Sequence, residues 1–247
     1  MVRIIVNGAG GRMGRVLCAM IDEGRWNAQL AGTAGRPSDT RLCSLEEISS
    51  PAECIIDVSH HSATNALLLY GKTHKLPIVI ATTGHTEDET KAIREAAKEI
   101  PIFFSGNLSL GIALLVRLVR EAASILADAD VEILERHHNK KLDTPSGTAL
   151  MLSRAIREVR PALEVLVGRR TDGMRDNREL GIHSLRMGNA IGTHEVMFST
   201  DTECITLRHE AQDRTLYAEG ALRAAEFLIR QPQGLYEVED LLRERRL

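Results

Sequence analysis

Residues 4–16 read IIVNGAGGRMGRV, and this stretch decides the fold. An aliphatic run leads into glycines at positions 8, 11 and 14, and apolar residues then recur at helical spacing. Glycines at such a strand-to-helix turn let the chain reverse tightly. They also let a pyrophosphate approach the helix N-terminus, where N–H groups and the helix dipole favour an anion. Although the spacing is GxxGxxG rather than GxGxxG, the stretch predicts a dinucleotide-binding turn.

The first half of the chain alternates short aliphatic runs with segments of helical period. Candidate strands lie at residues 2–6, 54–58, 77–81 and 101–104. This alternation is typical of a parallel sheet with crossover helices. We therefore predict an α/β fold whose N-terminal domain is Rossmann-like.

From about residue 131 the pattern changes to longer strands with fewer helices between them, which predicts a second, α+β domain. Its candidate strands are residues 131–135, 163–168, 184–187, 195–199 and 203–208. The charged, aperiodic residues 169–181 are expected to form a surface loop.

A helical pattern returns after residue 214 and is expected to pack back on the first domain. The predicted division is therefore 1–108 plus 215–247 for a dinucleotide-binding domain, and 109–214 for a substrate-binding domain.

Composition excludes several classes of partner. The 247 residues are 43% hydrophobic, and 31 Lys plus Arg balance 34 Asp plus Glu, which argues against a nucleic-acid partner or a basic membrane anchor. No signal-like segment opens the sequence, and no apolar run approaches the ~20 residues that span a bilayer. The cysteines show no CxxC spacing and are expected to be reduced thiols: Cys18, Cys43, Cys54 and Cys204. We expect a cytoplasmic protein.

The end of the second strand suggests which nicotinamide cofactor binds. Dinucleotide folds commonly place an acidic residue there for the adenosine ribose, but Gly35 and Arg36 stand in that region. A guanidinium can hold a 2′-phosphate through two charge-assisted hydrogen bonds, so we expect NADPH, with NADH also possible. The alternative is that Arg36 is an ordinary solvated loop residue.

Residues 133–152, ILERHHNKKLDTPSGTALML, bring together several groups suited to catalysis. A strand leads to adjacent histidines, a loop carries two lysines, and Ser146 is placed to cap a following helix. The N–H groups of Gly147 and Thr148 would lie where the helix dipole is positive, which suits a carboxylate.

The same segment also supplies a positive charge and a group that can transfer a proton. Lys141 adds a positive charge, and a histidine such as His137 can exchange a proton at physiological pH. The cluster therefore predicts a small dicarboxylate substrate. The alternative is structural, with His137 and His138 merely ending a strand and Lys141 a solvated charge.

Residues 135–149, ERHHNKKLDTPSGTA, resemble the dihydrodipicolinate reductase signature E-x-H-H-x-x-K-x-D-A-P-S-G-T-A, with Thr144 in place of the usual Ala. The resemblance continues through the chain in order. It covers GAGGRMG at 8–14, ATTG at 81–84, SGNLSLGI at 105–112, IHSLRMG at 182–188 and GTHEVMF at 192–198.

The resemblance implies a function and a set of site residues. The family reduces 4-hydroxy-tetrahydrodipicolinate to tetrahydrodipicolinate with NAD(P)H in lysine and diaminopimelate biosynthesis, and it assembles as a homotetramer through the second domain. The implied catalytic pair is His137 and Lys141, and the implied substrate-binding residues are His138, Ser146, Gly147 and Thr148. The implied cofactor-binding residues are Gly8, Ala9, Gly10, Gly11, Arg12, Met13, Arg36, Ala81, Thr82, Thr83, Ser105, Gly106, Asn107 and Leu108.

The chain departs from the family pattern at two places near the expected cofactor. The family's Asp-Phe-Thr or Asp-Phe-Ser, followed shortly by Pro, is here the segment 57–61, DVSHH. Its Asn-Phe-Ser is here the segment 107–109, NLS. An aromatic contact to the cofactor is therefore expected to be absent.

Two other functions remain open from the residues alone. A metal-dependent hydrolase could use His137, His138, Asp143 and His194, but adjacent strand residues point to opposite faces, so joint ligation is awkward and we expect no metal site. A non-enzymatic nucleotide-sensing module would explain the glycine turn but not the histidine–lysine cluster.

Overall fold

The computed structural model describes residues 1–35, 42–169 and 172–244. The chain separates into two compact units, one drawn from Met1–Leu110 and Thr215–Leu247, the other from Gly111–Arg214. The strands are β1 Val2–Asn7, β2 Ala28–Ala34, β3 Cys54–Asp57, β4 Ile78–Ile80, β5 Pro101–Phe104, β6 Asp130–His137, β7 Glu164–Val167, β8 Glu179–Arg186, β9 Gly192–Ser199, β10 Cys204–Ala211 and β11 Gly234–Tyr236. The α-helices are α1 Arg12–Asp22, α2 Thr64–His74, α3 Glu87–Ala96, α4 Leu110–Ile125, α5 Gly147–Val159, α6 Thr215–Leu228 and α7 Val238–Glu244.

The first unit is built on a parallel six-stranded sheet in the order β11-β5-β4-β3-β1-β2. The central strands β1, β3 and β4 are short and almost continuously buried, as expected for a sheet covered on both faces. Helices α1 and α6 pack against each other, and α2 packs against α3. The predicted Rossmann-like architecture is confirmed.

The strand order reverses direction beside β1. From β1 the chain moves outward to β2, and it then returns to place β3 on the other side of β1. Ligands of open α/β sheets bind beyond the carboxyl ends of the strands at such a switch point. The glycine-rich segment that follows β1 therefore starts at the position where a dinucleotide would bind.

The second unit is built on a mixed sheet in the order β10-β9-β6-β8-β7. Strand β6 pairs antiparallel with β9 and parallel with β8. One face of this sheet packs against α4 and α5 in a single apolar cluster that includes Val131, Ile133, Leu152, Ile182 and Val196.

Polar side chains replace apolar ones at one end of this packed face. On β6, Ile133 is followed on the same face by Glu135 and His137, because side chains alternate along a strand. The same change occurs on β8, which ends at Arg186, and on the antiparallel β9, where His194 pairs in register with Glu135. The core thus leads directly into a buried polar cluster.

Several elements differ from the sequence prediction. Strand β8 begins at Glu179, so the last part of the expected loop 169–181 is strand. Before it, the Arg175 side chain donates to Asp130 and to the carbonyl of Glu179, which ties the loop to the sheet. The three-residue strand β11 and the helix α7 were not predicted.

Within the described ranges, no helix combines the length and the hydropathy needed to cross a bilayer.

Candidate active site

The turn after β1 requires glycine at its first position. Gly8 has φ +88°, and a Cβ there would lie 2.7 Å from the carbonyl oxygen of Val58. A Cβ at Gly14 would lie 2.3 Å from the carbonyl oxygen of Gly8. The glycines therefore bring the β1 turn, the loop after β3 and the start of α1 into close contact.

A buried carboxylate connects the strand ends beneath this turn. Asp57 is 2% exposed. It accepts hydrogen bonds from Asn7 at 2.7 Å, Ser59 at 2.6 Å and Thr82 at 2.6 Å. These donors come from β1, the loop after β3 and the loop after β4, so Asp57 fixes the loops around the switch point. No local sequence pattern indicates these roles of Asp57 and Asn7.

The start of α1 fits a pyrophosphate. Gly11 is the N-cap residue, and among the described residues no side chain caps this end of the helix. Ala9 is buried, Gly10 is half-buried, and Gly11 and Arg12 are exposed. An N-terminus that lacks a side-chain cap offers its N–H groups to an anion. Arg36, the expected 2′-phosphate contact, lies outside the described residues.

The other expected cofactor segments follow β4 and β5 at the same carboxyl edge. Thr82 is buried in the Asp57 network, whereas the adjacent Thr83 is exposed. Leu108 is 3% exposed, and a Cβ on Gly220 of α6 would lie 1.9 Å from its carbonyl oxygen. The backbone of Leu108 therefore approaches α6 closely, which the absence of a side chain at Gly220 permits. The remaining members of these segments are Ala81, Ser105, Gly106 and Asn107.

The histidines that replace the family's usual motif form local contacts in the first unit. The rings of His60 and His61 lie in contact at a tilt of 35°, with centroids 4.3 Å apart. The Nδ1 atom of His61 lies 3.0 Å from both carboxylate oxygens of Glu89 on α3. The departure at 58–61 thus introduces a histidine–carboxylate pair at this edge of the sheet.

In the second unit, Glu135 and His137 form the centre of the buried polar cluster. Glu135 is fully buried, and its Oε2 lies 2.5 Å from Nδ1 of His137. Arg186 donates 2.9 Å and 2.7 Å hydrogen bonds to the two oxygens of Glu135. Burial alone would raise the pKa of Glu135, but the hydrogen bonds from His137 and Arg186 outweigh it and hold that pKa well below its ordinary value.

The same carboxylate reaches the start of α5. The backbone N–H of Ser146 donates to Oε1 of Glu135 at 3.2 Å, and the Ser146 hydroxyl caps the helix by accepting from the N–H of Ala149. Gly147 is exposed, and a Cβ there would meet no atom within 4 Å. The N-terminus of α5 therefore opens onto free space that could receive a carboxylate.

The loop between β6 and α5 carries Lys141. Its ammonium lies 2.8 Å from Asp143, and its side chain is 22% exposed. The backbone carbonyl of Asp143 accepts from Arg186, so one arginine holds both this loop and Glu135. His138 follows the strand and is half-buried. The fold thus brings the residues predicted at 137–148 into one region of the second unit.

His194 completes the cluster from β9. Its Nε2 lies 3.1 Å from the Ser146 hydroxyl, and its ring packs edge-to-face on His137 with centroids 5.1 Å apart. Burial, reinforced by the neighbouring His137, lowers the pKa of His194 to about 3. His194 is therefore neutral at physiological pH.

Three side chains of this buried polar cluster could act as ligands if the site bound a metal ion instead. One ligand atom each from Glu135, His137 and His194 lies within 4.8 Å of the others. However, both oxygens of Glu135 already accept from Arg186, whose fixed positive charge would repel a metal cation. These contacts suit an acid–base site better than a metal centre.

Glu135 and Arg186 are not among the site residues predicted from the sequence. For Glu135 a signal existed, because residues i and i+2 of a strand share a face, so Glu135 must lie beside His137. For Arg186 no local signal existed, since its contact depends on the register between β6 and β8.

A dinucleotide-type sheet joined to a unit with a buried acid–base cluster and an open helix N-terminus defines an NAD(P)H-dependent oxidoreductase. A family model described as "Dihydrodipicolinate reductase, N-terminus" matches residues 2–108, and "Dihydrodipicolinate reductase, C-terminus" matches residues 111–242. The chain belongs to the dihydrodipicolinate reductase family, as its motifs predicted.

Individual relatives support this family membership. The 4-hydroxy-tetrahydrodipicolinate reductase of Caldanaerobacter subterraneus subsp. tengcongensis is 45% identical over 249 residues, which cover 99% of both chains. That of Alkaliphilus metalliredigens is 36% identical and covers 98% of this chain and 99% of its own. A dipicolinate-bound dihydrodipicolinate reductase from Paenisporosarcina sp. TG-14 has a TM-score of 0.79 at 22% identity and covers 97% of this chain and 99% of its own. This last likeness confirms the fold.

Proposed function

We propose that His137 and Lys141 perform the proton chemistry of the family's reaction in this chain, and that the N-terminus of α5 binds the substrate. The reaction is the NAD(P)H-dependent reduction of 4-hydroxy-tetrahydrodipicolinate to tetrahydrodipicolinate, with loss of the hydroxyl group as water, in lysine and diaminopimelate biosynthesis. The observation that carries the residue assignment is the buried Glu135–His137 pair beside that N-terminus.

Proton transfer is assigned to the two basic side chains. Lys141 gives up a proton to the substrate as the reduced ring gains charge, and His137 assists it. Asp143, 2.8 Å from the Lys141 ammonium, holds that side chain in the loop. Positioned proton transfer of this kind contributes about 100- to 10,000-fold to a rate.

Substrate binding is assigned to the start of α5. Gly147 and Thr148 lie in its first turn, where backbone N–H groups and the helix dipole favour a carboxylate. His138 and Lys141 add positive or hydrogen-bonding groups from the preceding loop. Ser146 is buried and its hydroxyl caps the helix, so it supports this binding site from below.

The nicotinamide cofactor, when bound, supplies the hydride. The residues proposed to hold it are those of the glycine-rich turn at 8–13 together with 81–83 and 105–108, with Leu108 contributing through its backbone. We assign Arg36 to the 2′-phosphate, which makes NADPH the preferred cofactor, because Gly35 stands where an acidic residue would favour NADH.

Residues 1–108 plus 215–247 are assigned to cofactor binding, and residues 109–214 to substrate binding and assembly into a homotetramer. The sheet face opposite α4 and α5 supports the assembly. It carries the side chains of Leu134, Leu166, Leu185 and Met197, which alternate away from the helix-packed face. A sheet face that carries these apolar side chains among charged ones, and that no described helix of its own unit covers, is suited to pairing with another subunit.

A cytoplasmic location is proposed as well. Cys18, Cys43, Cys54 and Cys204 are free thiols, which is the usual state of cysteines in a reducing compartment.

A coupled assay tests the activity. Pyruvate and aspartate semialdehyde are condensed by the preceding synthase, and NADPH oxidation is followed by its absorbance after the purified protein is added. We expect oxidation that depends on both the protein and the synthase. Oxidation that proceeds without the synthase product would contradict the assignment.

A further inference from the structure

The buried carboxylate of Glu135 accepts hydrogen bonds from three different residues. It accepts from His137, twice from Arg186 and from the backbone of Ser146, so all four hydrogen bonds end on one group. These partners belong to β6, β8 and the start of α5. A single carboxylate thus connects the proposed proton-transfer residue with the proposed substrate anchor.

These contacts fix which nitrogen of His137 carries the proton. Glu135 is held ionised by the Arg186 guanidinium, and an ionised carboxylate can only accept hydrogen bonds. The Nδ1 atom of His137 must therefore be the donor. The exchangeable position of the ring is then Nε2.

Space is kept around that Nε2 atom. A Cβ on Gly192 of β9 would lie 3.1 Å from Nε2 of His137, so any larger residue there would crowd the nitrogen. His137 retains about a tenth of its side-chain surface, at 10% exposure, although Glu135 has none. The ring is thus held on its Nδ1 side, and the opposite nitrogen has room.

We infer that Glu135 is a positioning residue for the reaction: it holds His137 in the Nδ1–H tautomer so that Nε2 exchanges the proton, while Arg186 fixes Glu135 and the loop that carries Lys141. This inference rests on the proposed role of His137. Neither Glu135 nor Arg186 is taken to contact the substrate.

The test is a double-mutant cycle on the full-length protein. Glu135→Gln should lower kcat by roughly 100-fold or more and leave the Kd for NADPH within about twofold, because an amide can donate as well as accept and no longer fixes Nδ1 of His137 as the protonated nitrogen. In a His137→Gln background the same substitution should cost almost nothing further, since Glu135 acts through His137. An equal loss in both backgrounds would overturn the inference.

A second variant tests whether a loss of activity in Glu135→Gln results from a loss of the fold. Glu135→Gln leaves the Arg186 charge unpaired, whereas Glu135→Gln with Arg186→Gln removes both charges of the buried pair. We expect this double variant to fold with native circular dichroism and to remain as slow as Glu135→Gln. A folded double variant with near-original kcat would overturn the inference.

The same strand offers a matched control. Glu132 lies on the opposite face of β6, 2.9 Å from His183, and it also pairs with Arg175. It therefore reproduces a Glu–His–Arg arrangement outside the site. Glu132→Gln should keep kcat within about twofold of the original protein.

Nitrogen-15 NMR of the imidazole separates the inference from the proposed function. At alkaline pH the His137 resonances, assigned by their loss in His137→Gln, should show a protonated Nδ1 and a bare Nε2, and Glu135→Gln should abolish that preference. A bare Nδ1 in the original protein would overturn the inference. If His137→Gln retains full activity while the Nδ1–H tautomer is observed, the proposed role of His137 fails instead.

Discussion

Gly8 and Val58 approach so closely that a single added carbon at Gly8 would lie 2.7 Å from the Val58 carbonyl oxygen. The contact joins the end of β1 to the loop after β3, at the point where the strand order of the first sheet reverses. Asp57, which directly precedes Val58, accepts hydrogen bonds from donors in three neighbouring segments, including Asn7 beside Gly8. The shape of the proposed cofactor site therefore depends on the absence of a side chain at Gly8.

Gly8→Ala should weaken NADPH binding by at least tenfold and lower the free energy of unfolding. The substitution adds both a backbone clash and a left-handed conformation that costs roughly 1–2 kcal/mol for an alanine. Gly24→Ala is the matched control, because Gly24 also has a positive φ, +69°, but a Cβ there meets nothing within 4 Å. Fluorescence titration with NADPH and urea unfolding measure the two effects. Equal NADPH affinity in both variants would count against the proposed turn.

Lys141→Ala should lower kcat by roughly 100-fold or more with little change in the Kd for NADPH, because the proton donor is lost while the cofactor segments in the first unit are intact. The neighbouring Lys140 is exposed and serves as the control. Lys140→Ala should keep kcat within about twofold. Steady-state kinetics of both variants measure these changes in kcat. If both substitutions lower kcat equally, the positive charge of the loop matters but Lys141 has no specific role.

Only part of the fold and of the candidate site is predictable from the sequence. The glycine turn and the start of α5 were predictable because their signals are local: glycine spacing at one, a capping serine before a helical period at the other. Arg186 was not predictable, since it reaches Glu135 only through the parallel register of β6 and β8. The three-residue strand β11 was also missed, because so short a segment shows no periodicity and depends on its pairing with β5.

The low pKa of His194 predicts a pH dependence of stability. Its pKa is about 3 in the folded protein against 6.5 for an unperturbed histidine. Between these values the unfolded chain binds a proton that the folded protein does not, so the free energy of unfolding falls as the pH drops below about 6.5. Glu135 contributes in the same direction only below its ordinary pKa of 4.5.

His194→Gln removes this contribution. Urea unfolding at about pH 7 and about pH 5 should show that the original protein loses about 2 kcal/mol more than the variant over this interval. His85 and His209 also have lowered pKa values, but both remain in the variant, so the difference isolates His194. Identical losses in the two proteins would show that His194 is not held neutral.

Arg36→Ala should raise the KM for NADPH far more than the KM for NADH, because only NADPH carries the 2′-phosphate that a guanidinium can bind. Arg25 provides a control, since it is exposed and its side chain is 82% accessible. Arg25→Ala should change neither KM. A similar rise for both cofactors in Arg36→Ala would remove the basis for the NADPH preference.

The proposed homotetramer predicts that Leu185 is buried between subunits. Leu185 is 44% exposed in the single chain and lies on the sheet face opposite α4 and α5. A glutamate placed there would replace an apolar contact of the proposed interface by a charge that must lose its water shell, which weakens association. Light scattering should give a mass four times 27.2 kDa for the original protein and a smaller assembly for Leu185→Glu.

Ile205 supplies the matched control for that substitution. Its exposure is similar, 41%, but it pairs in register with Phe198 and therefore points to the helix-packed side of the sheet. Ile205→Glu should leave the assembly unchanged, because its position lies on the face that α4 and α5 occupy. If the original protein is a monomer at micromolar concentration, or if only Ile205→Glu dissociates it, the face that carries Leu185 is not the interface.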